Sequence, residues 1–574
     1  MLIDLVFPPF DDSVLIPEIG VPVLTANLAR SGHHVRQADL NVEFIRRHLS
    51  SLGSYSRPLG LLSLPPGGRR DVDPRAFLED LAAALCRARA LHVDHRGSLV
   101  ELAKTTERSI GKTCQFGRLR PSPDWSGQMR GLDAPPALAA LARHESEHEW
   151  FFRDLLGVVK HFGFAPASYA SDDVFAAARE KNAFLEPFYE KRLAEMWSDG
   201  EPELFGVSIW STSQLVPALV LARTVRSLLP SVRIVAGGAW CTYARRLIPE
   251  IDELFSYFDV FAVHEADGTL ADLAAAYSSG SSAEGVRGAI TRGASPSESD
   301  ILRPPSPFDE LELPVYDGFP IEDYPLQRLA LRLFRGCYWS RCAFCTHACH
   351  PYTRRHSFGK TSTLSQTYLD RVREHVEHAG RTYGIRGFTI ADNLIPPSVM
   401  KQLCALNVDA GLGIEWDSLA RFEKEYTADF CRLLADGGCR QLDLGLETAD
   451  DAALKRINKG INLATVVRNL KNLSAAGIRT KVFVLNYVGQ PADEYERTLR
   501  FLREHEDVVS EVAISRFSLS RGTLPFRDPA GLGLAVDPSA LHHLDVFSLP
   551  FTAEETSGEE EIVEITRRYF PRYW

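Results

Sequence analysis

RGCYWSRCAFC, residues 335–345, sets Cys337, Cys342 and Cys345 on one short segment directly behind the apolar run LALRLF (329–334). A run that reads as a buried strand, followed at once by a loop of thiols, is how parallel barrels arrange chemistry, with reactive groups at the carboxyl ends of the strands. Outward from it the chain alternates. Apolar strand-like stretches recur at GFTIADN (387–393), GIEWDSLAR (413–421), QLDLGLET (441–448), KVFVLNYVG (481–489) and EVAISRFSL (511–519). Helical periods such as QTYLDRVREHVEHAG, ADFCRLLADGG and LATVVRNLKNLSAAG lie between them. Six strands with crossover helices predict an α/β fold, a partial (β/α)6 TIM-like barrel over residues 326–526.

Three thiolates from one loop can hold three irons of a 4Fe-4S cluster and leave the fourth open for chemistry. Cys349 follows closely, so a second trio, Cys342, Cys345 and Cys349, is also available. A zinc site using all four cysteines, with His347 or His350, is the structural alternative and would make the chain a non-catalytic binding protein. Structural zinc sites usually pair two separated Cys-x2-Cys arms, and no second arm is visible.

The loop resembles that of the radical S-adenosylmethionine (SAM) superfamily, whose proteins carry Cys-x3-Cys-x2-Cys after the first barrel strand with an aromatic before the last cysteine, as Phe344 is here. The first spacing is four residues in this chain, one more than usual. YTRRHS (352–357), IADN (390–393), WDSLAR (416–421), GLET (445–448), NKG (458–460) and GQPADE (489–494) follow in the family's order. The resemblance implies a 4Fe-4S cluster whose open iron chelates SAM, and one-electron cleavage of SAM to a 5′-deoxyadenosyl radical. It implies a ribose contact from Glu447, with Asp392 and Arg421 lining the same pocket and Gly489 and Pro491 shaping a turn beside the adenosine. Tyr487 and Arg516 are candidate catalytic residues. An electron donor such as flavodoxin or ferredoxin is an implied partner.

Toward the amino terminus a second β/α series appears: LIDLVF (2–7), VRQADL (35–40), LFGVSIW (204–210), VRIVAGGAW (232–240) and DVFAVHE (259–265), with helices between. It predicts a Rossmann-like domain split as residues 1–50 and 200–277, whose ligand loops lie beyond the strand ends. Residues 51–199 read as a helical insertion, with helices over 74–91, 135–162 and 172–197 and a flexible entry at 57–70. Residues 278–325 read as a Ser/Gly/Pro-rich linker, and residues 527–574 as a tail that ends in RRYFPRYW. A Rossmann-like domain ahead of such a barrel resembles the cobalamin-binding radical SAM class. Pro8, Pro9, Ser208, Ser211, Thr212, Gly237, Gly238, His264 and Glu265 fall in that class's cobalamin loops. No Asp-x-His-x-x-Gly stretch supplies a histidine below the cobalt, as is common in the class. The expected activity is C-methylation of an unactivated carbon in a natural-product or peptide substrate. Radical rearrangement, oxidation or sulfur chemistry, with or without cobalamin, is the alternative.

Composition narrows the rest. The 574 residues, 45% apolar and 24% charged, suffice for several cores and exclude global disorder. Sixty-four basic against 75 acidic residues leave a net charge of −11, so nucleic acid is not an expected partner. Ten cysteines are too sparse for a disulfide scaffold. No run is long enough for a membrane span, and MLIDLVFPPFDD lacks a signal-like start, so a reducing cytoplasm is expected.

Overall fold

The computed structural model describes residues 1–11, 16–49, 118–119, 166, 168–182, 185–294, 297, 301–303, 310, 312–324, 326–346, 362–553 and 559–570. The chain divides into two compact units, the first formed by Met1–Thr113, Asp124–Gln327 and His542–Val546, the second by Cys114–Pro123, Arg328–Leu541 and Phe547–Trp574. Among the described residues no helix is long and apolar enough to cross a membrane.

The first unit runs β1 (Leu2–Phe7), α1 (Gly20–Arg30), β2 (His34–Asp39), α2 (Leu40–Leu49), α3 (Ser171–Arg179), α4 (Leu185–Met196), β3 (Leu204–Ser208), α5 (Leu215–Leu228), β4 (Arg233–Gly237), α6 (Ala239–Ala244), β5 (Val260–Ala262), α7 (Asp267–Ser278) and β6 (Ala289–Thr291). The sheet order is β2-β1-β3-β4-β5-β6, parallel throughout except for β6. Helices on both faces explain why β1 and β3 read as continuous apolar runs. Asp4, fully buried in β1, is matched by its register neighbour Arg36, which donates to both carboxylate oxygens at 2.7 and 3.0 Å, and by the Trp197 indole at 2.8 Å. The order 2-1-3-4-5 is that of a doubly wound fold with its topological switch between β1 and β3.

Three boundaries differ from the sequence reading. The helical stretch 172–197 is two helices, because Asn182 starts a new one: its side chain accepts from Leu185 N at 2.9 Å and Glu186 reaches back to its N–H at 3.0 Å. The linker contains β6, a short antiparallel edge strand of the Rossmann-like sheet. Residues His542–Val546 leave the tail and join the first unit, where Leu544 N bonds Tyr169 O at 2.7 Å and the Trp240 indole donates to Leu544 O at 2.7 Å. The expected helices over 74–91 and 135–162 and the entry at 57–70 lie outside the described residues.

The second unit runs β7 (Arg328–Leu331), α8 (Gln366–Thr382), β8 (Gly387–Ile390), α9 (Pro397–Asp409), β9 (Glu415–Ala420), α10 (Ala428–Asp436), β10 (Cys439–Glu447), α11 (Asp451–Arg456), α12 (Leu463–Ala475), β11 (Arg479–Asn486), α13 (Ala492–Glu504), β12 (Glu511–Arg516), a hairpin of β13 (Leu534–Val536) and β14 (Phe551–Ala553), and α14 (Glu559–Tyr569). β7 to β12 pair in chain order and all in parallel, the expected six strands, with Arg118–Leu119 added antiparallel beside β12. The ends do not meet among the described residues, which makes the barrel partial. Side-chain caps start four of its helices at Ser365, Thr427, Asp450 and Asn462, each worth about 1 kcal/mol. Leu442, Leu444 and Leu446 are fully buried along β10. The alternate face carries a charged ladder across neighbouring strands, Asp443 to Lys481 to Glu511, each contact 3.6 Å.

Candidate functional site

Cys337, Cys342 and Cys345 lie on the loop that leaves β7. None is in a disulfide and all three are partly exposed, whereas the other described cysteines, Cys241, Cys404, Cys431 and Cys439, are buried in packed elements. That contrast suits three thiolates offered to a cluster. Among the described residues no three ligating side chains converge as they would about a single metal ion. Cys349, His347 and His350 lie outside the described residues. The loop is pinned from outside: Ala343 N bonds Ile457 O at 3.0 Å, and the Trp339 indole donates to Asn458 O at 2.9 Å. Gly460 closes that contact, since a Cβ there would stand 2.1 Å from the Trp339 ring.

Arg421, read as a SAM-pocket residue, is committed to the same clamp. Its guanidinium stacks 4.2 Å from the Trp339 ring and donates to Lys459 O at 2.6 Å, Gly460 O at 3.3 Å and Glu423 Oε1 at 3.1 Å. Glu423 also accepts from the Tyr338 hydroxyl at 3.0 Å. Asp392 is buried and accepts Leu333 N at 2.7 Å and Phe334 N at 3.0 Å, so it holds the chain on its way to Cys337. Burial pushes its carboxyl up to about 7 against those two bonds.

Glu447, the last residue of β10, follows a register shift against β11 and has φ +70°. Bulge and left-handed backbone together re-aim a strand-end side chain. Its Oε1 accepts from the buried Lys459 ammonium at 2.8 Å, and that ammonium lies 5.8 Å from the Phe344 ring centre. Sequence reasoning missed Lys459, whose signal was only its place in the NKG motif. Gly489 has φ +70° and Pro491 caps α13. Tyr487 is held in a triad with Arg456 and Glu494, both of which hydrogen-bond its hydroxyl, while Arg456 and Glu494 pair at 2.6 Å. Arg516 ends β12 in register with Asn486.

In the first unit the expected loops gather at the β1/β3 switch. Pro8 O accepts from the Gln214 amide at 2.6 Å and Phe10 O from the Ser213 hydroxyl at 2.6 Å, which ties the two loops together over buried Pro8 and Pro9. Ser208 ends β3, and Ser211 shares its hydroxyl with Ser213 at 3.0 Å. Thr212 donates to Asp545 at 2.9 Å, a partner on the returning tail. Gly238 does not open a gap for a ligand: at φ +100° a Cβ would meet Ile209 O at 2.3 Å, so its bareness serves the crossing of two loops. Gly237 sits in ordinary contact with Ala262. His264, beside Glu265, has φ +66° and its N–H donates to the Thr242 hydroxyl at 2.8 Å. Trp210, not singled out from sequence, is 56% exposed on the β3 loop. Among the described residues the non-glycine residues with positive φ are Phe10, His264, Ser340, Glu447 and Asn458, which lie on the strand-end loops, the cysteine loop and the turn that clamps it.

Two carboxylates here give a pH dependence. Asp39 caps α2 through Asn41 N and Val42 N and accepts from Tyr324 at 2.6 Å, and Glu18 caps α1 through Gly20 N and Val21 N. Burial lifts Asp39 to about 7 and Glu18 to about 8, each opposed by its hydrogen bonds. A carboxyl raised on folding favours the fold while protonated, and that contribution is lost as pH rises from about 4 through about 7. Thermal melts of Asp39→Asn are expected to fall less steeply than wild type between pH 5 and 8. Parallel curves would show that Asp39 does not titrate there.

Residues 331–502 match the radical SAM superfamily. An uncharacterized methyltransferase of Pyrococcus horikoshii is 23% identical over 325 residues, 54% of this chain and 66% of that one, so the chain spans just under two thirds of that relative. The radical SAM methyltransferase TsrM from Kitasatospora setae, solved with cobalamin and a 4Fe-4S cluster, superposes with TM-score 0.56 at 13% identity, over 99% of this chain and 90% of that one. The same enzyme with tryptophan and a SAM analogue gives 0.51 at 14% identity, over 94% and 78%. At this identity the likeness to the solved structures is one of fold, and the match to the radical SAM superfamily covers residues 331–502, the barrel part of the chain.

Proposed function

We propose that this chain is a cobalamin-dependent radical SAM methyltransferase that adds a methyl group to a carbon of a small-molecule or peptide substrate. The observation that carries the reading is one chain joining a partly exposed three-thiol loop at a barrel's first strand end to a doubly wound unit of order 2-1-3-4-5. Bound, the cluster supplies the electron that cleaves SAM and cobalamin supplies the methyl group.

The chain's own residues hold and orient. Cys337, Cys342 and Cys345 would ligate three irons. With Oε1 of Glu447 on Lys459, its second oxygen is the acceptor for a ribose hydroxyl. Gly489 and Pro491 shape the turn before α13 where adenosine would lie. In the first unit, Trp210 offers a flat apolar surface to a corrin ring, while Ser208, Ser211, Gly237, His264 and Glu265 line the neighbouring loops. Thr212, Gly238, Pro8 and Pro9 shape those loops. A reduced flavodoxin or ferredoxin would deliver the electron.

Anaerobic reconstitution with iron, sulfide, SAM and methylcobalamin tests the reading. The expected result is brown protein with about four irons, bound corrinoid by mass spectrometry, and S-adenosylhomocysteine with a methylated product once substrate is found. Colourless zinc protein, or 5′-deoxyadenosine without any methyl transfer, would sink it. Trp210→Ala is expected to weaken cobalamin binding roughly tenfold, the scale of one lost aromatic contact. Unchanged affinity would remove Trp210 from that face.

A further inference from the structure

Lys459 is a buried ammonium that bonds Oε1 of Glu447 at 2.8 Å. Four local features bring it in. Gly445 clears its path, because a Cβ there would stand 2.6 Å from both Lys459 Nζ and Glu447 Oε1. Gly460 seats the Trp339 ring, Asn458 at φ +53° turns the chain, and Arg421 fixes the Lys459 carbonyl. A lysine in the turn after a helix would ordinarily keep its head in water. Burial works against its charge, but the surrounding negative groups, Glu447 first, together hold its pKa above the ordinary lysine value. Its ammonium lies 5.8 Å from the ring centre of Phe344, the residue immediately before Cys345, so its charge stands beside the thiol loop.

We propose that Lys459 is the fixed counter-charge of the cluster site, a positioning residue that holds Glu447 and sets how readily the cluster accepts its electron. The inference rests on Cys337, Cys342 and Cys345 being the cluster ligands. Adding an electron to a cluster on three thiolates increases negative charge, and a nearby cation in a low-dielectric setting favours the reduced form. Glu447 acts against it from the other end of the same ion pair. The two partners must therefore shift the midpoint in opposite directions, which a merely structural pair would not do.

The test is an EPR-monitored redox titration of reconstituted wild type, Lys459→Gln, Lys459→Arg, Glu447→Gln and the double Lys459→Gln/Glu447→Gln variant. Wild-type protein without iron would refute the cluster reading itself and is scored first by iron and sulfide analysis. With iron retained, Lys459→Gln is expected to shift the reduction equilibrium about tenfold toward the oxidised cluster, about 59 mV for a one-electron couple. Glu447→Gln is expected to move it the other way, the double variant to fall between, and Lys459→Arg to restore the wild-type value. A midpoint unchanged in Lys459→Gln, or shifted in the same direction by both single variants, overturns the proposal. Should Lys459→Gln fail to fold with a buried Glu447 left unpaired, the double variant and Glu447→Gln still decide the sign.

Discussion

Alanine at Cys337, Cys342 or Cys345 is expected to take reconstituted protein from about four irons per chain to less than one, with loss of the brown absorption and of all 5′-deoxyadenosine formation. Each thiolate holds a different iron, so two remaining ligands leave half the cluster without protein support. The loop cannot recruit a substitute from the packed core. Cys404, Cys431 and Cys439 are buried within packed elements, whereas the three loop cysteines are partly exposed. Cys404→Ala is the matching control: iron should stay, and the change should appear as about 1 kcal/mol of lost stability from a small core truncation. Cys349→Ala separates the two possible trios. Full iron in that variant supports Cys337 as ligand; iron lost there but kept in Cys337→Ala would reassign the site.

The barrel was legible because its strands set buried apolar residues at alternate positions, as Leu442, Leu444 and Leu446 do on β10, and each strand is followed by a helical period. Their ends were less legible. GFTIADN continues past Ile390 only because Ala391 and Asp392 fold back toward the β7 exit, which alternation alone does not reveal. Ala289–Thr291 escaped notice because three residues in a Ser/Gly-rich stretch carry no period, and they become a strand only through the edge of β5. His542–Val546 escaped because its bonds, to Tyr169, Thr212 and Trp240, reach more than 300 residues back. At the site, the motifs say where side chains stand and not what they bond. Arg421 and Asp392 lie in the expected stretches, yet both serve the backbone that presents the cysteines. Lys459 reads as a solvated lysine until Gly445, fourteen positions earlier, is seen to leave room for it.

Gly238→Ala is expected to be among the most damaging single-methyl changes in the Rossmann-like unit, costing about 3 kcal/mol or more and lowering its melting temperature by several degrees. Two costs add. The residue sits at φ +100°, where a Cβ is strained by roughly 1–2 kcal/mol. The new methyl would also stand 2.3 Å from Ile209 O and 2.8 Å from Ile209 N and C, all backbone atoms that no rotamer change can move. Ile209 is itself locked there, its N–H on Gly237 O at 2.8 Å and its carbonyl on Trp240 N at 3.1 Å. Relief must therefore pull the β3 and β4 loops apart, and those are the loops that carry Ser208, Trp210, Ser211 and Thr212. Gly280→Ala carries the first cost alone, because Gly280 also has positive φ, +73°, but nothing within 4 Å of the added carbon. The difference between the two variants in a denaturant titration measures the loop contact alone, and weakened cobalamin binding in Gly238→Ala but not in Gly280→Ala would tie that contact to the cofactor face. Equal stabilities would mean that the loop crossing yields, and that Gly238 is present for its backbone angle only.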